Sequence, residues 1–156
     1  VMPRWALLFV VVLIAVDQIS KRVMLGLVFD PPSIIQVTSF FNLVPVWNRG
    51  ISFGLLGGAE TSRWILVALA LVIIVFLVIW LARSSQGIVQ FALVLVIGGA
   101  LSNVVDRVVY GAVVDFIDIH AFGWHWPAFN VADMAIVFGT AMLLYDGLFG
   151  SPRSLK

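Results

Sequence analysis

The sequence contains no cysteine and few charged residues. Only 11% of its 156 residues are Asp, Glu, Lys or Arg, against about 25% in ordinary soluble domains, whereas 62% are hydrophobic. The lack of cysteine excludes disulfides and thiolate chemistry, and the net charge of +1 gives no indication of nucleic acid binding. A water-soluble domain of this length could not bury so many apolar side chains. The composition therefore predicts an integral membrane protein.

Four apolar stretches are each close to the ~20 residues that a helical membrane span requires. They cover approximately residues 5–28, 64–82, 88–109 and 129–149. The first stretch could also be a cleaved signal peptide, but no small-x-small cleavage site follows it, which favours a retained helix. We therefore expect an all-α membrane bundle of four transmembrane helices, in a single domain over residues 1–156.

The connections between the spans differ in length. Residues 83–87 form a short turn, so the second and third spans are predicted to be an antiparallel hairpin. Residues 34–56 and 112–120 are rich in β-branched and aromatic residues, and we expect them to form short strands at the membrane surface, a small β-cradle. The signs of the charges at the two ends of the bundle favour an extracytoplasmic position for these long loops.

A layer of polar side chains is predicted near the end of the bundle that carries the long loops. With a rise of about 1.5 Å per residue, similar depths are expected for Asp17, Asn103, Asp106, Asn130 and Asp133. Ionisable residues at membrane depth are costly and usually mark a functional site. The layer is therefore a candidate site.

Two charge patterns in this layer have both structural and functional interpretations. Asp17 and Lys21 are four residues apart and can form an ion pair on one helix face. Asp106 is expected to orient Arg107, whose planar guanidinium could bind a substrate carbonyl or carboxylate. Either pair could instead simply join the helices.

Asp115 and Asp133 are the most informative acidic pair. Asp115 lies in a strand-like segment after the third span, and Asp133 lies in the first turn of the fourth helix. If the intervening loop folds back, the two carboxyl groups share a site, where one keeps a proton and the other acts as a base. Such a pair activates water for amide hydrolysis. The alternative is a helix-start carboxylate favoured by the macrodipole and an unrelated strand residue.

Other chemistries find less support in the sequence. His120 and His125 are an isolated pair in an aromatic loop, so we expect no metal, and Asp118 is expected to be a loop charge. No His-Glu-x-x-His helix occurs, which argues against zinc proteases of that type. We expect no cofactor. Gly98 and Gly99 are predicted to allow close packing of helices.

Four blocks of residues follow one another along nearly the whole chain. They are Asp17, Gln18, Ser20 and Lys21; Asn48, Gly50 and Phe53; Gly98, Gly99, Asn103, Asp106, Arg107, Gly111, Val113, Asp115 and Phe116; and Pro127, Phe129, Asn130, Ala132 and Asp133. Together these blocks closely resemble those of the lipoprotein signal peptidases. That family comprises the type II signal peptidases, membrane-embedded aspartic peptidases of the bacterial inner membrane.

The resemblance implies an activity and a set of site residues. The family removes the signal peptide from diacylglyceryl-modified prolipoproteins, cutting before the lipidated cysteine at the outer face of the inner membrane, and globomycin inhibits it. Its catalytic aspartates correspond to Asp115 and Asp133. The expected partners are lipid-modified prolipoproteins, membrane lipids and globomycin-type inhibitors, with no nucleic acid. The residues expected to support the pair and bind the substrate are Asp17, Lys21, Asn48, Asn103, Asp106, Arg107 and Asn130.

Two residues depart from the family pattern, and two other functions stay open at this point. Arg49 stands where a small hydroxyl residue is common, and Ser102 stands where glycine is common. A small proton-coupled transporter would also contain intramembrane acids, although transporter sites usually lie near the midplane and often within repeats. A catalytically silent scaffold of the same fold is the other alternative, which the retention of Asp115 and Asp133 disfavours.

Overall fold

The computed structural model describes residues 3–50 and 59–149. Residues 51–56 of the predicted strand region, including Phe53, lie outside the described residues. The elements in chain order are α1 (Arg4–Leu27), β1 (Ile35–Gln36), β2 (Phe41–Asn48), α2 (Ala59–Arg83), α3 (Gly87–Tyr110), β3 (Val113–Ala121), β4 (Trp124–His125) and α4 (Val131–Phe149).

Each predicted span coincides with a helix. Helix α2 begins at Ala59 rather than near residue 64, because a polar first turn with Glu60 extends it beyond its apolar centre. Among the described residues, three helices are long and apolar enough to cross a membrane, namely α2 from Glu60, α3 and α4. Helix α1 is 24 residues long and contains Asp17 and Lys21 among its buried residues. The architecture is therefore a helical membrane fold with a small antiparallel sheet.

Helix α3 is the centre of the bundle and packs against the other three helices. Its buried residues extend from Val89 near one end to Asp106 near the other. Close approach to α4 depends on glycine, because a Cβ on Gly99 would collide with the carbonyl oxygen of Ala132. A Cβ on Gly98 would lie 2.7 Å from Leu13 of α1. The predicted packing role of this glycine pair is confirmed.

A glycine ends α3 and turns the chain into the sheet. Gly111 adopts the left-handed conformation with φ 78°, and its N–H donates to the carbonyl of Arg107. This conformation favours glycine because it lacks a Cβ. The chain then enters β3 two residues later, so the first residues of β3 lie against the end of the bundle.

The four strands form one antiparallel sheet in the order β1-β2-β3-β4. In the pairing of β2 with β3, Val46 lies opposite Asp115 and Asn42 opposite Asp118, with an irregularity between Leu43 and Val46. Strands are predicted within residues 34–56 and 112–120, and β1, β2 and β3 confirm this within the described residues, whereas β4 was not predicted.

The chain after β4 folds back along β3 before it enters α4. The N–H groups of Phe116 and Ile117 donate to the carbonyl of Phe129, and the N–H of Phe129 donates to the carbonyl of Ile117. This return places the start of α4 beside the middle of β3. The two segments that carry the predicted aspartate pair are thereby brought together.

Candidate active site

Asn130 joins the two aspartates of the predicted pair. Its side-chain amide donates to Asp115 Oδ1 at 2.6 Å, and its backbone N–H donates to Asp133 Oδ2 at 3.2 Å. In return, the backbone N–H of Asp133 donates to Asn130 Oδ1 at 2.9 Å, which completes a reciprocal cap at the start of α4. The structure therefore assembles the pair around one asparagine.

Asp115 is buried, with an exposed fraction of 1%. Its second carboxyl oxygen accepts an N–H from Asn48 at 2.9 Å, and the N–H of Gly50 in turn holds the Asn48 amide oxygen at 2.9 Å. Burial, together with the nearby charge of Asp133, raises the pKa of Asp115 to about 6 against the opposing hydrogen bonds from Asn48 and Asn130. Asp115 can therefore carry a proton near neutral pH.

Asp133 has a different environment. It is half-buried, and its Oδ1 accepts an N–H from Asn103 Nδ2 at 2.8 Å. Part of the Asp133 surface is therefore open to water, whereas Asp115 is enclosed. The two carboxyl groups of the site thus lie in different environments, which allows one to stay protonated while the other is ionised.

A buried ionic cluster lies next to the pair. Lys21 Nζ is 2.7 Å from Asp17 Oδ2 and 2.7 Å from Asp106 Oδ2, and it donates to Asn103 Oδ1 at 3.0 Å. Lys21, Asp17 and Asp106 are all 1% exposed or less. The predicted ion pair between Asp17 and Lys21 is confirmed, and it includes a second carboxylate from α3.

Two residues that were not predicted for the site complete the cluster. Ser102 Oγ donates to Asp17 Oδ2 at 2.6 Å, and Gln18 Nε2 donates to Asp106 Oδ1 at 2.7 Å and to Ser102 Oγ at 3.0 Å. A hydroxyl inside an apolar helix and an amide next to a buried aspartate were the available signals for them. Ser102, a departure from the family pattern, thus has a structural role. Arg49, the other departure, is exposed.

Backbone hydrogen bonds connect the ionic cluster to the segments that carry the pair. The N–H of Ala132 donates to Asp17 Oδ1 at 2.8 Å, and the N–H of Val114 donates to Asp106 Oδ2 at 3.1 Å. These amides directly precede the two aspartates of the pair in the chain. The cluster therefore anchors both segments to α1 and α3.

The prediction that Asp106 orients Arg107 is wrong. Asp106 is directed at Lys21 and Gln18 instead, because neighbouring residues on a helix point in different directions. Arg107 is half-buried, and one Nη donates to the carbonyl of Asn103 at 3.3 Å. Its buried Nε has no hydrogen-bond partner among the described residues. The guanidinium therefore retains donors for a further acceptor.

Asp118 is buried rather than a solvated loop charge, so that prediction is also wrong. It accepts hydrogen bonds from Asn42 at 2.8 Å and from His125 at 2.9 Å, and the rings of His120 and His125 stack at 4.8 Å. Burial acts to raise the pKa of Asp118, but the hydrogen bonds from His125 and Asn42 hold it below its ordinary value. Within residues 3–50 and 59–149, no three His, Asp or Glu residues are grouped to hold a metal ion.

Comparison with known proteins gives consistent matches over nearly the whole chain. A sequence model of the family described as "Signal peptidase (SPase) II" matches residues 9–149. A lipoprotein signal peptidase of Rhodopseudomonas palustris (strain TIE-1) is 43% identical over 155 residues, which cover 96% of this chain and 94% of that protein. A lipoprotein signal peptidase of Burkholderia multivorans is 46% identical over 141 residues, which cover 88% of this chain and 83% of that protein.

Solved structures agree with the sequence matches. Two structures of a bacterial membrane enzyme, determined by the in meso method at 2.3 Å and 1.9 Å resolution, are each 28% identical to this chain. Their TM-scores are 0.75 and 0.81, and the alignments cover 97% and 94% of this chain and 94% of each of those chains.

Proposed function

The chain belongs to the signal peptidase II family, and from this premise we propose that Asp115 and Asp133 form the catalytic pair of the enzyme. As a member of this family, the protein is a membrane aspartic peptidase that removes the signal peptide from prolipoproteins. The observation that supports the assignment of the pair is the bridge made by Asn130, which holds an enclosed and an accessible carboxyl group side by side.

The proposed reaction needs one ionised and one protonated aspartate. The ionised carboxylate takes a proton from water while the water oxygen bonds to the scissile carbonyl carbon, and the protonated carboxyl group gives its proton to the carbonyl oxygen. In the second step the first carboxyl group gives its proton to the leaving nitrogen and the C–N bond breaks. A hydroxyl of the tetrahedral intermediate returns a proton to the second carboxylate. Both aspartates are then in their starting states.

The predicted substrate-binding residues divide by their accessibility. Asn48 is exposed and Arg107 is half-buried, so these two contact the substrate, with the guanidinium donating to a backbone carbonyl near the scissile bond. The other predicted residues are buried and act by holding the pair and its surroundings in place; they are Asp17, Lys21, Asn103, Asp106 and Asn130.

The same arrangement supports a proposal for the position of the enzyme in the membrane. Helix α1 is a membrane span in addition to α2, α3 and α4. It is 24 residues long, it packs against α3, and its buried charges pair with one another inside the protein. The chain is one four-span domain of the bacterial inner membrane. The sheet and the pair lie on the extracytoplasmic side, where a lipid-anchored substrate meets water, and surrounding lipids and globomycin-type inhibitors meet the protein at that face.

A gel-shift cleavage assay on a lipidated prolipoprotein tests the assignment of the pair. Asp115→Asn and Asp133→Asn are each expected to lower kcat at least about 1,000-fold, because neither amide can replace the lost proton transfer. Asp146→Asn, at the opposite end of α4, is the matched control and keeps near-parent activity. Unfolding temperatures in detergent verify that all variants are folded.

The outcomes separate the alternatives. Near-parent cleavage by either Asp115→Asn or Asp133→Asn would show that Asp115 and Asp133 are not the catalytic pair. A parent protein that binds the prolipoprotein without cutting it would instead identify a silent scaffold. The family match already favours a peptidase over a proton-coupled transporter.

A further inference from the structure

Lys21 is a buried cation that the proposed reaction does not use directly. Its Nζ lies 2.7 Å from Asp17, 2.7 Å from Asp106 and 3.0 Å from Asn103 Oδ1. An ammonium group has three N–H donors and no acceptor, so these contacts occupy every donor it has. With its three donors occupied, the buried Lys21 ammonium has none left for a substrate. Lys21 therefore acts on the reaction through its hydrogen-bond partners and its charge, and not by contact with the substrate.

Asn103 is the partner that connects Lys21 to the aspartate pair. Because an ammonium group only donates, the amide atom that faces Lys21 must be the oxygen, and the NH2 group then faces Asp133 Oδ1 at 2.8 Å. A longer contact of 3.4 Å from Asn130 Nδ2 to the same oxygen agrees with this orientation. An amide turned the other way would put its oxygen against Asp133, which suits only a protonated carboxyl group.

We infer that Lys21 is a positioning residue that acts through Asn103 to make Asp133 the ionised member of the pair, which leaves the shared proton on Asp115. The inference rests on the proposed function of the pair. In these roles Asp133 takes the proton from water, and Asp115 gives its proton to the scissile carbonyl oxygen.

Two differences between the aspartates, in exposure and in proximity to Lys21, support this division of roles. Both carboxyl groups accept an N–H at each oxygen, so these hydrogen bonds alone do not separate them. Asp133 is half-buried and open to water, as a base must be, whereas Asp115 is enclosed, and enclosure favours the neutral form. Only one amide separates Asp133 from the Lys21 ammonium, with hydrogen bonds of 3.0 and 2.8 Å on its two sides.

A test must account for the other charges around Asp133. Those that face it are Lys21 and Asp17 from α1, Arg107 from α3 and Asp115 from β3, with Asp106 on the far side of Lys21. Removing Lys21 alone would leave two buried carboxylates without their cation, which is strongly destabilising. The variant must therefore lose a carboxylate together with the lysine.

The pair of variants Asp17→Asn and Asp17→Asn/Lys21→Met meets this requirement. They differ only at Lys21, and the double variant keeps the net charge that Asp17, Lys21 and Asp106 carry in the parent. We expect the acid limb of its kcat–pH profile to lie about one pH unit above that of Asp17→Asn, so that kcat on this limb is about tenfold lower. At higher pH, where Asp133 is ionised in both variants, kcat of the double variant should no longer lie below that of Asp17→Asn, because the Lys21 charge also acts on Asp115. The KM values should lie within about twofold of each other.

Asp17→Asn/Lys21→Gln is a second test variant that retains an N–H donor for Asn103 without the charge. The acid limb of its kcat–pH profile should lie between those of the other two variants. If the methionine variant does not fold, this variant tests whether the Lys21 charge acts on Asp133. Acid limbs that coincide with the Asp17→Asn control would overturn the inference. So would a loss of kcat that is equal at every pH, which indicates a structural role only, or a raised KM at unchanged kcat, which indicates a substrate contact. The proposed function fails by a different result, cleavage by Asp115→Asn or Asp133→Asn.

Discussion

Replacing Asp115 with asparagine is expected to stabilise the folded protein at alkaline pH while it abolishes activity. Burial holds the pKa of Asp115 at about 6, against an ordinary value of 3.8. At about 1.36 kcal/mol per pH unit, ionising Asp115 in the folded protein therefore costs about 3 kcal/mol of the free energy of unfolding. An asparagine at this position has no charge to bury, so it avoids this cost.

The sign of the pH dependence follows from the raised pKa. The unfolded chain loses the Asp115 proton near pH 3.8, whereas the folded protein keeps it until about pH 6. The contribution of Asp115 to stability is therefore full below pH 3.8, falls as the pH rises to about 6, and stays low above it. The asparagine variant lacks this fall, so its advantage over the parent should grow across that interval.

Part of this gain in stability is lost because one hydrogen bond at position 115 becomes mismatched. The Asn48 and Asn130 amides both donate to the Asp115 carboxyl group, and an asparagine must turn its own NH2 toward one of them. Such a mismatch costs about 1–2 kcal/mol, which leaves a net gain of about 1–2 kcal/mol at pH 8. For a chain of this size that corresponds to an unfolding temperature about 2–8 °C higher.

Thermal unfolding in detergent between pH 4 and pH 8 measures this effect, with Asp146→Asn as the control for loss of an aspartate elsewhere. The expected result is a higher unfolding temperature for Asp115→Asn at pH 8 and no gain at pH 4. A variant that is less stable than the parent at pH 8, or one whose difference from the parent is the same at both pH values, would refute the reasoning.

Three further predictions concern packing, substrate contact and the hairpin beside the site. Gly99→Ala should lower the free energy of unfolding by about 1–3 kcal/mol, because its Cβ would collide with a backbone carbonyl at the start of α4. The control Gly26→Ala has open space around it and should change the free energy of unfolding by less than about 0.5 kcal/mol. Equal unfolding temperatures for the two variants would contradict this prediction. Arg107→Lys should raise KM about tenfold in the cleavage assay, because an ammonium group lacks the planar donor fork, and an unchanged KM would remove Arg107 from substrate binding. His125→Ala should cost about 1 kcal/mol of stability by taking a partner from buried Asp118; a kcat more than about tenfold below that of the parent would show instead that this hairpin positions the site.

Local patterns in the sequence predict those parts of the site that lie within one helix. The spacing of Asp17 and Lys21 places both on one face of α1, and the structure confirms their contact at 2.7 Å. The helix positions follow equally directly, since a membrane span requires an uninterrupted apolar stretch of about 20 residues. Neither prediction needs any knowledge of how the helices pack.

Contacts between elements are not predictable in this way. Asp106 and Arg107 are adjacent in the chain, yet Asp106 faces α1 and pairs with Lys21, because the rotation of α3 in the bundle decides which neighbour each residue meets. Gln18 and Ser102 enter the cluster for the same reason, since they lie on different helices and are 84 positions apart in the chain. Asp118 is buried only because β2 and the hairpin at β4 bring Asn42 and His125 to it.

The sequence by itself determined that this is a membrane protein, where its helices lie, and which acids are candidates for catalysis, because apolar length, helical spacing and the cost of intramembrane charge are local properties. Only the tertiary structure decided how the acids are arranged. Asp115 became enclosed and Asp133 accessible when the chain folded back along β3 and Asn130 joined the two. Burial and hydrogen bonding depend on groups distant in sequence, and these interactions set how readily each carboxyl group holds a proton.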